Sequence, residues 1–541
     1  MHPREPSPAP VDPGSLVASL RDPACYPHPA GPVELIETHI SWVLLAGDYA
    51  YKLKKPVSLG FLDFGTPEAR RYYCEEELRL NRRTAPDLYL AVVPITGRPA
   101  TPRMGGTGQA IEYALKMKRF PQEALADYAA KRGGLGAAQI DAIAAALAAF
   151  HATAPAAPEG SAFGAPDHVT ASALQNFEQI GALVADRDDA AQLRRLRSWT
   201  LSESSRLGET FAARKRHGFV RECHGDLHLR NIVFLDGLPV PFDCIEFNPE
   251  LRWIDVMNEV AFLVMDLLEH GLNAAAWRFL NAYLETTGDH AGLRVLRYYL
   301  VYRAVVRTKI ACIRAHQPSA DKAARAASDR QYRDYLALAE SLTVPGRRAL
   351  IVMHGLAGSG KSTVAQAMLE RLSAVRLRSD VERKRLHGLA AQARTHADPY
   401  SGIYAPESTR LIYDRLKLLV REIVESGYPA IVDAAFLWRA ERDAFRALAR
   451  KLKARFLIAS CRAPEAVLRR RVAQREAAMK DASEAGVAVL ENQIATQEPL
   501  GSDELAHATP IDSEAEEAGL SRTIAAIADR LARTEAADAT H

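Results

Sequence analysis

Hydrophobic and polar positions change their period along the chain. In HISWVLLAGDYAYKLKK two apolar runs are separated at Gly47-Asp48, which predicts strand, turn and strand. PEARRYYCEEELRLNRR follows, with apolar residues returning at helical spacing, and predicts a helix. LYLAVVPI and IEYALKMKRF predict further strands, and AAQIDAIAAALAAFHA opens a series of alanine-rich helices. From about Val169 to Leu342 the pattern is mostly helical, interrupted by strand-like pieces around Asp226 and Asp243. Beyond Leu342 it alternates. RALIVMHGLAGSGKSTVAQAMLERL predicts strand, glycine loop and helix, while YPAIVDAAF, ARFLIASCRA and HATPIDS predict later strands. That alternation implies a parallel sheet with helices on both faces.

LTVPGRR combines proline and glycine where the two patterns meet. The expected organisation is a disordered, proline-rich tail over 1–14, a first domain over 15–342, a linker over 343–348, a second domain over 349–535 and a tail over 536–541. A length of 541 residues suits several domains at roughly 100–200 residues each. The net charge of +3 is spread along the chain, so composition selects neither nucleic acid nor membrane as a partner. Six cysteines lie far apart without a CxxC pair, which argues for reduced thiols over a zinc site or disulfide framework. MHPREPSPAPVDPG has no apolar signal-peptide core, and no uncharged stretch approaches the ~20 residues that span a bilayer. A cytoplasmic location is expected.

Gly355-Leu356-Ala357-Gly358-Ser359-Gly360-Lys361-Ser362 matches G-x-x-x-x-G-K-[ST], and Thr363 continues it into the predicted helix. The glycines let the backbone curl so that N–H groups point at phosphate oxygens, and the helix start adds to the attraction. Lys361 can reach the β and γ phosphates and Ser362 can hold Mg²⁺, so ATP and Mg²⁺ are the expected cofactors. Asp380 and Arg383 stand three apart at a predicted helix start and share a face. Asp380 could accept a proton from an incoming hydroxyl and Arg383 could hold a phosphate, or Asp380 could simply be the N-cap. Asp433 closes an apolar strand, where ligands gather in such sheets, and could organise Mg²⁺ or position substrate. Arg471 and Arg475, at i and i+4, could clamp ATP as a lid or form an ordinary charged face.

In HGDLHLRN, Asp226 and Asn231 stand five apart, the spacing that protein kinases keep in H-R-D-L-x-x-x-N. Asp226 is expected to orient and deprotonate the acceptor hydroxyl, and Asn231 to bind a metal. Asp243, read on an apolar strand, supplies a second carboxylate for Mg²⁺. Lys52 and Lys54 share one strand face because side chains alternate. Lys52 is preferred for the ATP phosphates, with Glu77 as its helix partner and Glu76 second.

Residues 348–530 resemble the P-loop kinase branch that includes gluconate kinases, zeta toxins and polynucleotide 5′-kinases. The Asp380-x-x-Arg383 pair is similar to the polynucleotide kinase pattern, in which that Asp activates the attacking hydroxyl. Asp433 resembles the DxT/DTN site of that branch, with Ala434 and Ala435 in place of its polar residues. Residues from about 30 to 340 resemble the aminoglycoside phosphotransferase family, whose HGDxHxxN signature stands at 224–231 and whose DxxE is carried by Asp243 and Glu246. RWIDVMNEVAFLVMDL resembles the helix that follows in that family, with Asp255 as its anchor. The whole is similar to bacterial fusions of these two domain types. The resemblance implies an α+β protein-kinase-like domain followed by an α/β P-loop NTPase domain with a parallel sheet.

LRYYLVYRAVVRTKIACIRA carries Arg303 and Arg307 at i and i+4, where the family builds its acceptor side. That face suits an anionic acceptor better than a polycationic aminoglycoside, unless its arginines pair with acids elsewhere in the lobe. The expected function is a bifunctional ATP-dependent kinase acting on hydroxyls of a small, anionic acceptor. A polynucleotide 5′-hydroxyl kinase is disfavoured because the basic stretch from Val375 to Leu389 has no aromatic residue. A non-catalytic ATP-sensing regulator is disfavoured by the complete acid sets. Oligomeric state is not legible in the sequence.

Overall fold

The computed structural model describes residues 13–59, 62–184, 186–316, 321–391, 393, 402–478 and 485–532. The tail expected over 1–14 lies outside these residues up to position 12, and a helix, Pro13–Ser19, begins within its last positions. The tail expected over 536–541 lies wholly outside them. The chain forms two compact units. One comprises residues up to 135 with 149–165 and 214–259; the other comprises 136–148, 166–213 and 260 onward.

The first unit is built on a six-stranded antiparallel sheet in the order Glu34–Glu37, Ser41–Ala46, Tyr49–Lys54, Ala110–Lys118, Tyr89–Arg98, Thr101–Met104. The strand–turn–strand read at Gly47-Asp48 is present, with Ala46 opposite Tyr49. Leu44, Leu53, Ile95 and Ala114 form a core with Leu16 of the first helix and Leu20 just beyond its end. The helix Pro67–Asn81 starts at Thr66, whose side chain accepts from the Ala69 N–H, and has Pro in its first turn. Two short antiparallel pairs, Val220–Glu222 with Trp253–Asp255 and Ile232–Leu235 with Leu238–Pro241, hold the segment that contains HGDLHLRN. Asp255 pairs with Arg214 at 2.6 Å and accepts from the Met257 N–H, both buried, at the start of the helix Val256–Glu269.

The second unit contains helices and a five-stranded parallel sheet in the order Val375–Arg378, Ala430–Asp433, Ala349–His354, Arg455–Arg462, Ala508–Asp512. Its central strands read as near-continuous apolar runs because they are covered on both faces. Ile351, Met353, Ile431 and Leu457 pack with Val364 and Met368 of the helix Lys361–Leu372 and with Ile524 and Ile527 of the helix Glu517–Ala532. The proline–glycine segment 343–348 runs inside this unit. Among the described residues no helix is long and apolar enough to cross a membrane.

The strand Val375–Arg378 escapes the hydrophobic pattern because it is short and alternates apolar residues with arginine. It is an edge strand, and an edge leaves backbone groups unpaired. The helix Asn273–Thr287 answers this with one side chain. Asn281 Oδ1 accepts from the Arg376 N–H at 2.7 Å, and Asn281 Nδ2 donates to the Ala374 carbonyl at 2.9 Å. The amide thus takes the positions that a neighbouring strand would fill, while Trp277 of the same helix packs against the sheet core. Replacing Asn281 with Ala leaves a buried donor and acceptor unmet. The expected cost is about 1–3 kcal/mol in denaturant unfolding of this unit, with faster hydrogen exchange at the Arg376 amide; unchanged exchange would count against this role.

Candidate active sites

The first site is organised by buried charge. Lys52 Nζ donates to Glu77 Oε1 at 2.7 Å and to Asp243 Oδ1 at 2.6 Å. Lys54 Nζ donates to Glu77 Oε2 at 2.8 Å and also to Glu246. Burial alone would raise the Glu77 carboxyl, but the charges and hydrogen bonds of the two lysines overcome it and hold it at about 2. Burial opposes the Lys52 charge, yet Asp243 and Glu77 keep its pKa well above the ordinary lysine value. Glu76, the second candidate partner, instead pairs with Arg79 and Arg252.

The HGDLHLRN loop makes a sharp turn at Gly225, φ +90°, where a Cβ would come within 2.7 Å of the Leu251 carbonyl. His224 Nε2 lies 2.8 Å from the Phe242 carbonyl, which can only accept, so that nitrogen carries the proton. His224 Nδ1 then accepts from the Asp226 N–H at 3.3 Å. Burial lowers the pKa of this ring, in keeping with a neutral tautomer that fixes the loop. Asn231 Nδ2 donates to the Asp226 carbonyl at 2.9 Å and to Asp226 Oδ2 at 3.1 Å, which leaves the Asn231 amide oxygen as its lone-pair donor. His228 Nδ1 accepts from the Arg230 N–H, so Nε2 carries the proton, 3.4 Å from Asp226 Oδ2.

Asp243 departs from expectation in one respect. The strand ends at Pro241, and Asp243 lies beyond it at φ +64°, with its N–H donating to the Tyr89 hydroxyl at 3.0 Å. The left-handed backbone lets its carboxylate reach Lys52. The Asp226 and Asp243 side chains are 39% and 45% exposed, against 0% for Glu77. The groups suited to reaction are open, and the groups that position them are buried.

Two supporting residues escaped the sequence reading. Glu259 Oε1 accepts from the Gly225 N–H at 2.7 Å, and Glu259 Oε2 meets His151 Nε2 at 2.9 Å. Burial would raise the Glu259 carboxyl, but the His151 hydrogen bond and charge bring it below the ordinary value. A lone acid within the apolar run of VMNEVAFLVM was its signal, since such an acid is buried only with partners. Nothing local marked His151.

The second site lies at the ends of the parallel strands. Gly355 has φ +141°, and a Cβ there would meet the Cys461 carbonyl at 2.5 Å. Leu356 and Ser359 complete the loop, and the Ala357 N–H donates to Gln493 at 2.8 Å. Lys361 Nζ donates to the Gly355 and Leu356 carbonyls, both at 2.8 Å, and burial lowers its pKa. A cleft of about 1220 Å³ is lined by Ala357, Gly358, Gly360, Lys361, Ser362 and Thr363 together with Asp380, Arg383, Asp433, Arg471 and Arg475. The structure therefore brings the predicted residues of this half to one place.

Asp433 ends the strand Ala430–Asp433, and its Oδ2 is buried without a hydrogen bond. Such an oxygen suits a cation or an incoming hydroxyl. Arg378 occupies the N-cap position of the helix Ser379–Leu386, so Asp380 is not the N-cap. Arg383 Nη1 donates to the Ile403 carbonyl at 3.0 Å and to Thr409 at 3.3 Å, while its buried Nε has no partner. Arg471 is tied to Ser513 at 2.8 Å and Arg475 to the Ala485 carbonyl at 2.6 Å. Arg410, Lys417 and Trp438 also line the cleft, on segments whose local pattern held no sign of it. Burial lifts the Glu441 carboxyl, in the same cleft, to about 7.

Arg303 and Arg307 do not form the expected acceptor face. They are 5% and 8% exposed within the helical part of the second unit. The Arg303 guanidinium lies over the Phe262 ring at 4.5 Å, and Arg307 Nε donates to the Tyr335 hydroxyl at 3.3 Å. Their helix, Leu293–Ala315, is buried around much of its circumference, and both cations lie inside the helical layer.

Residues 73–299 match the phosphotransferase enzyme family, and residues 350–500 match an AAA domain. The chain thus joins a protein-kinase-like phosphotransferase domain to a P-loop domain. An uncharacterized protein of Mycobacterium tuberculosis is 29% identical over 468 residues, spanning 85% of this chain and 91% of its own, and one of Mycobacterium bovis gives the same figures. That span exceeds either domain, so the similarity runs through both. Among solved structures, a gluconokinase from Sinorhizobium meliloti is 22% identical, covering 35% of this chain and 94% of its own, with a TM-score of 0.25. A choline/ethanolamine kinase family protein from Mesorhizobium loti is 13% identical, covering 61% and 99%, with a TM-score of 0.36.

Glu77 supplies a test of the first site. Its depressed carboxyl contributes stability that is complete above about pH 4.5 and is lost as pH falls towards 2. Glu77→Gln should remove that contribution and leave two buried lysines short of a counter-charge. A loss of about 3–5 kcal/mol at neutral pH is expected, with a shallower acid limb in thermal midpoints between pH 4.5 and 2.

Proposed function

We propose that each half transfers the γ-phosphoryl group of ATP to a hydroxyl of a small-molecule acceptor. The observation that carries this reading is the Lys52 ammonium held between Glu77 and Asp243, in the unit that sets Asp226 and Asn231 side by side. Lys52 would meet the nucleotide phosphates, and Asp226 would take the acceptor proton. Asn231 and Asp243 would hold a divalent cation. When bound, that cation supplies charge neutralisation to the phosphates.

In the second half the loop N–H groups would cradle the phosphates, with Lys361 turning from its own loop carbonyls to them. Asp380 would take the acceptor proton, Ser362 and Asp433 would hold Mg²⁺, and Arg471 and Arg475 would border the nucleotide. Arg383, Arg410 and Lys417 support an anionic acceptor here. With Arg303 and Arg307 buried, the same property for the first half loses its support. A second reading, a polynucleotide 5′-hydroxyl kinase, is favoured by Trp438, which is 41% exposed beside these cations and could stack a base.

A metabolite pool incubated with ATP and followed by mass spectrometry tests both readings, with a labelled 5′-hydroxyl oligonucleotide added as a further acceptor. Asp226→Ala should lower formation of one phosphorylated product by roughly 10²–10⁴-fold and leave another intact. Lys361→Ala should do the reverse. If neither change alters phosphorylation of any acceptor, the enzyme reading fails.

A further inference from the structure

The helix Asn273–Thr287 does more than cover the edge strand. Glu285, one turn beyond Asn281, accepts from Arg376 at 3.0 Å through Oε2 and from Arg378 at 3.0 Å through Oε1. Arg376 and Arg378 share one face of the strand Val375–Arg378, so a single carboxylate spans both. Arg378 lines the nucleotide cleft two residues before Asp380. Its Nε stands 3.9 Å from Asp433 Oδ2, too far for a hydrogen bond, and that oxygen is buried without one.

We propose that Glu285 is a positioning residue of the second site: it holds Arg378 back from Asp433 and so keeps that carboxylate available to a divalent cation. The inference rests on reading this cleft as a magnesium–nucleotide site. Arg378 already stands within ion-pair distance of Asp433, and without the competing Glu285 charge a side-chain adjustment closes the remaining gap. Arginine and cation then compete for one carboxylate. Glu285 lies in sequence within the phosphotransferase-family match, yet it serves a cleft of the P-loop half.

The test uses the full-length chain and a fluorescent ATP analogue, titrated with Mg²⁺ at fixed nucleotide and again in EDTA. The binding component abolished by Lys361→Ala is assigned to the second cleft. Glu285→Gln should raise the half-saturating Mg²⁺ concentration of that component by roughly tenfold, the scale of one charge contact near a protein surface, while binding in EDTA is not weakened. Glu285→Asp should recover part of the loss. Combining Glu285→Gln with Arg378→Gln should restore the wild-type requirement, because no arginine remains to occupy Asp433. Arg378→Gln alone should need no more Mg²⁺ than wild type, and it carries the test if Glu285→Gln does not fold. Equal weakening with and without Mg²⁺, or no rescue in the double variant, would overturn the role of Glu285. Absence of any Lys361-dependent component would instead overturn the nucleotide reading itself.

Discussion

A charge taken out of water must meet an opposite charge or a set of hydrogen bonds, and both sites of this protein are shaped by that constraint. In the first unit it takes the form of Lys52, Lys54, Glu77 and Glu246, where each buried carboxylate is shared or matched by a lysine. The strand Tyr49–Lys54 and the helix Pro67–Asn81 are thereby locked to the segment after the HGDLHLRN loop. Their mutual placement fixes where Lys52 can point. Rigidity behind the site and exposure at Asp226 and Asp243 are two results of one arrangement.

The second unit applies the same rule to backbone and guanidinium groups. Asn281 satisfies the edge of the parallel sheet, and Glu285 gathers Arg376 and Arg378 onto one carboxylate. Asp433 departs from this rule, with a buried carboxylate oxygen that lacks a hydrogen bond at the end of a strand. A buried oxygen without a hydrogen bond, at a strand end beside the glycine loop, has the chemistry to accept from a ligand or cation. Arg303 and Arg307 show the converse, since cations that look like a binding face in sequence are taken up by rings and a hydroxyl inside the helical layer.

Much of the architecture was legible from local pattern. The hairpin at Gly47-Asp48, the helix at Pro67–Asn81 and the glycine loop at Gly355 each write their geometry into neighbouring residues, because their hydrogen bonds close within a few positions. The strand Val375–Arg378 was not legible, for its arginines hide it and its edge is covered by a side chain some 90 positions away. The left-handed turn at Asp243 was missed for a related reason, since its N–H partner, the Tyr89 hydroxyl, lies 154 residues earlier.

The amino-acid sequence by itself determined that a glycine loop of the G-x-x-x-x-G-K-[ST] form and an HGDxHxxN loop are present, and which acids and lysines are candidates beside them, because spacing within a loop or helix turn dictates what those residues can reach. Only the tertiary structure decided that Lys52 meets Asp243 across 191 positions, that Glu259 braces the Gly225 turn, and that Glu285 reaches Arg378. These are contacts between charges brought together by folding. Coulombic attraction depends on distance in space, and distance along the chain does not encode it.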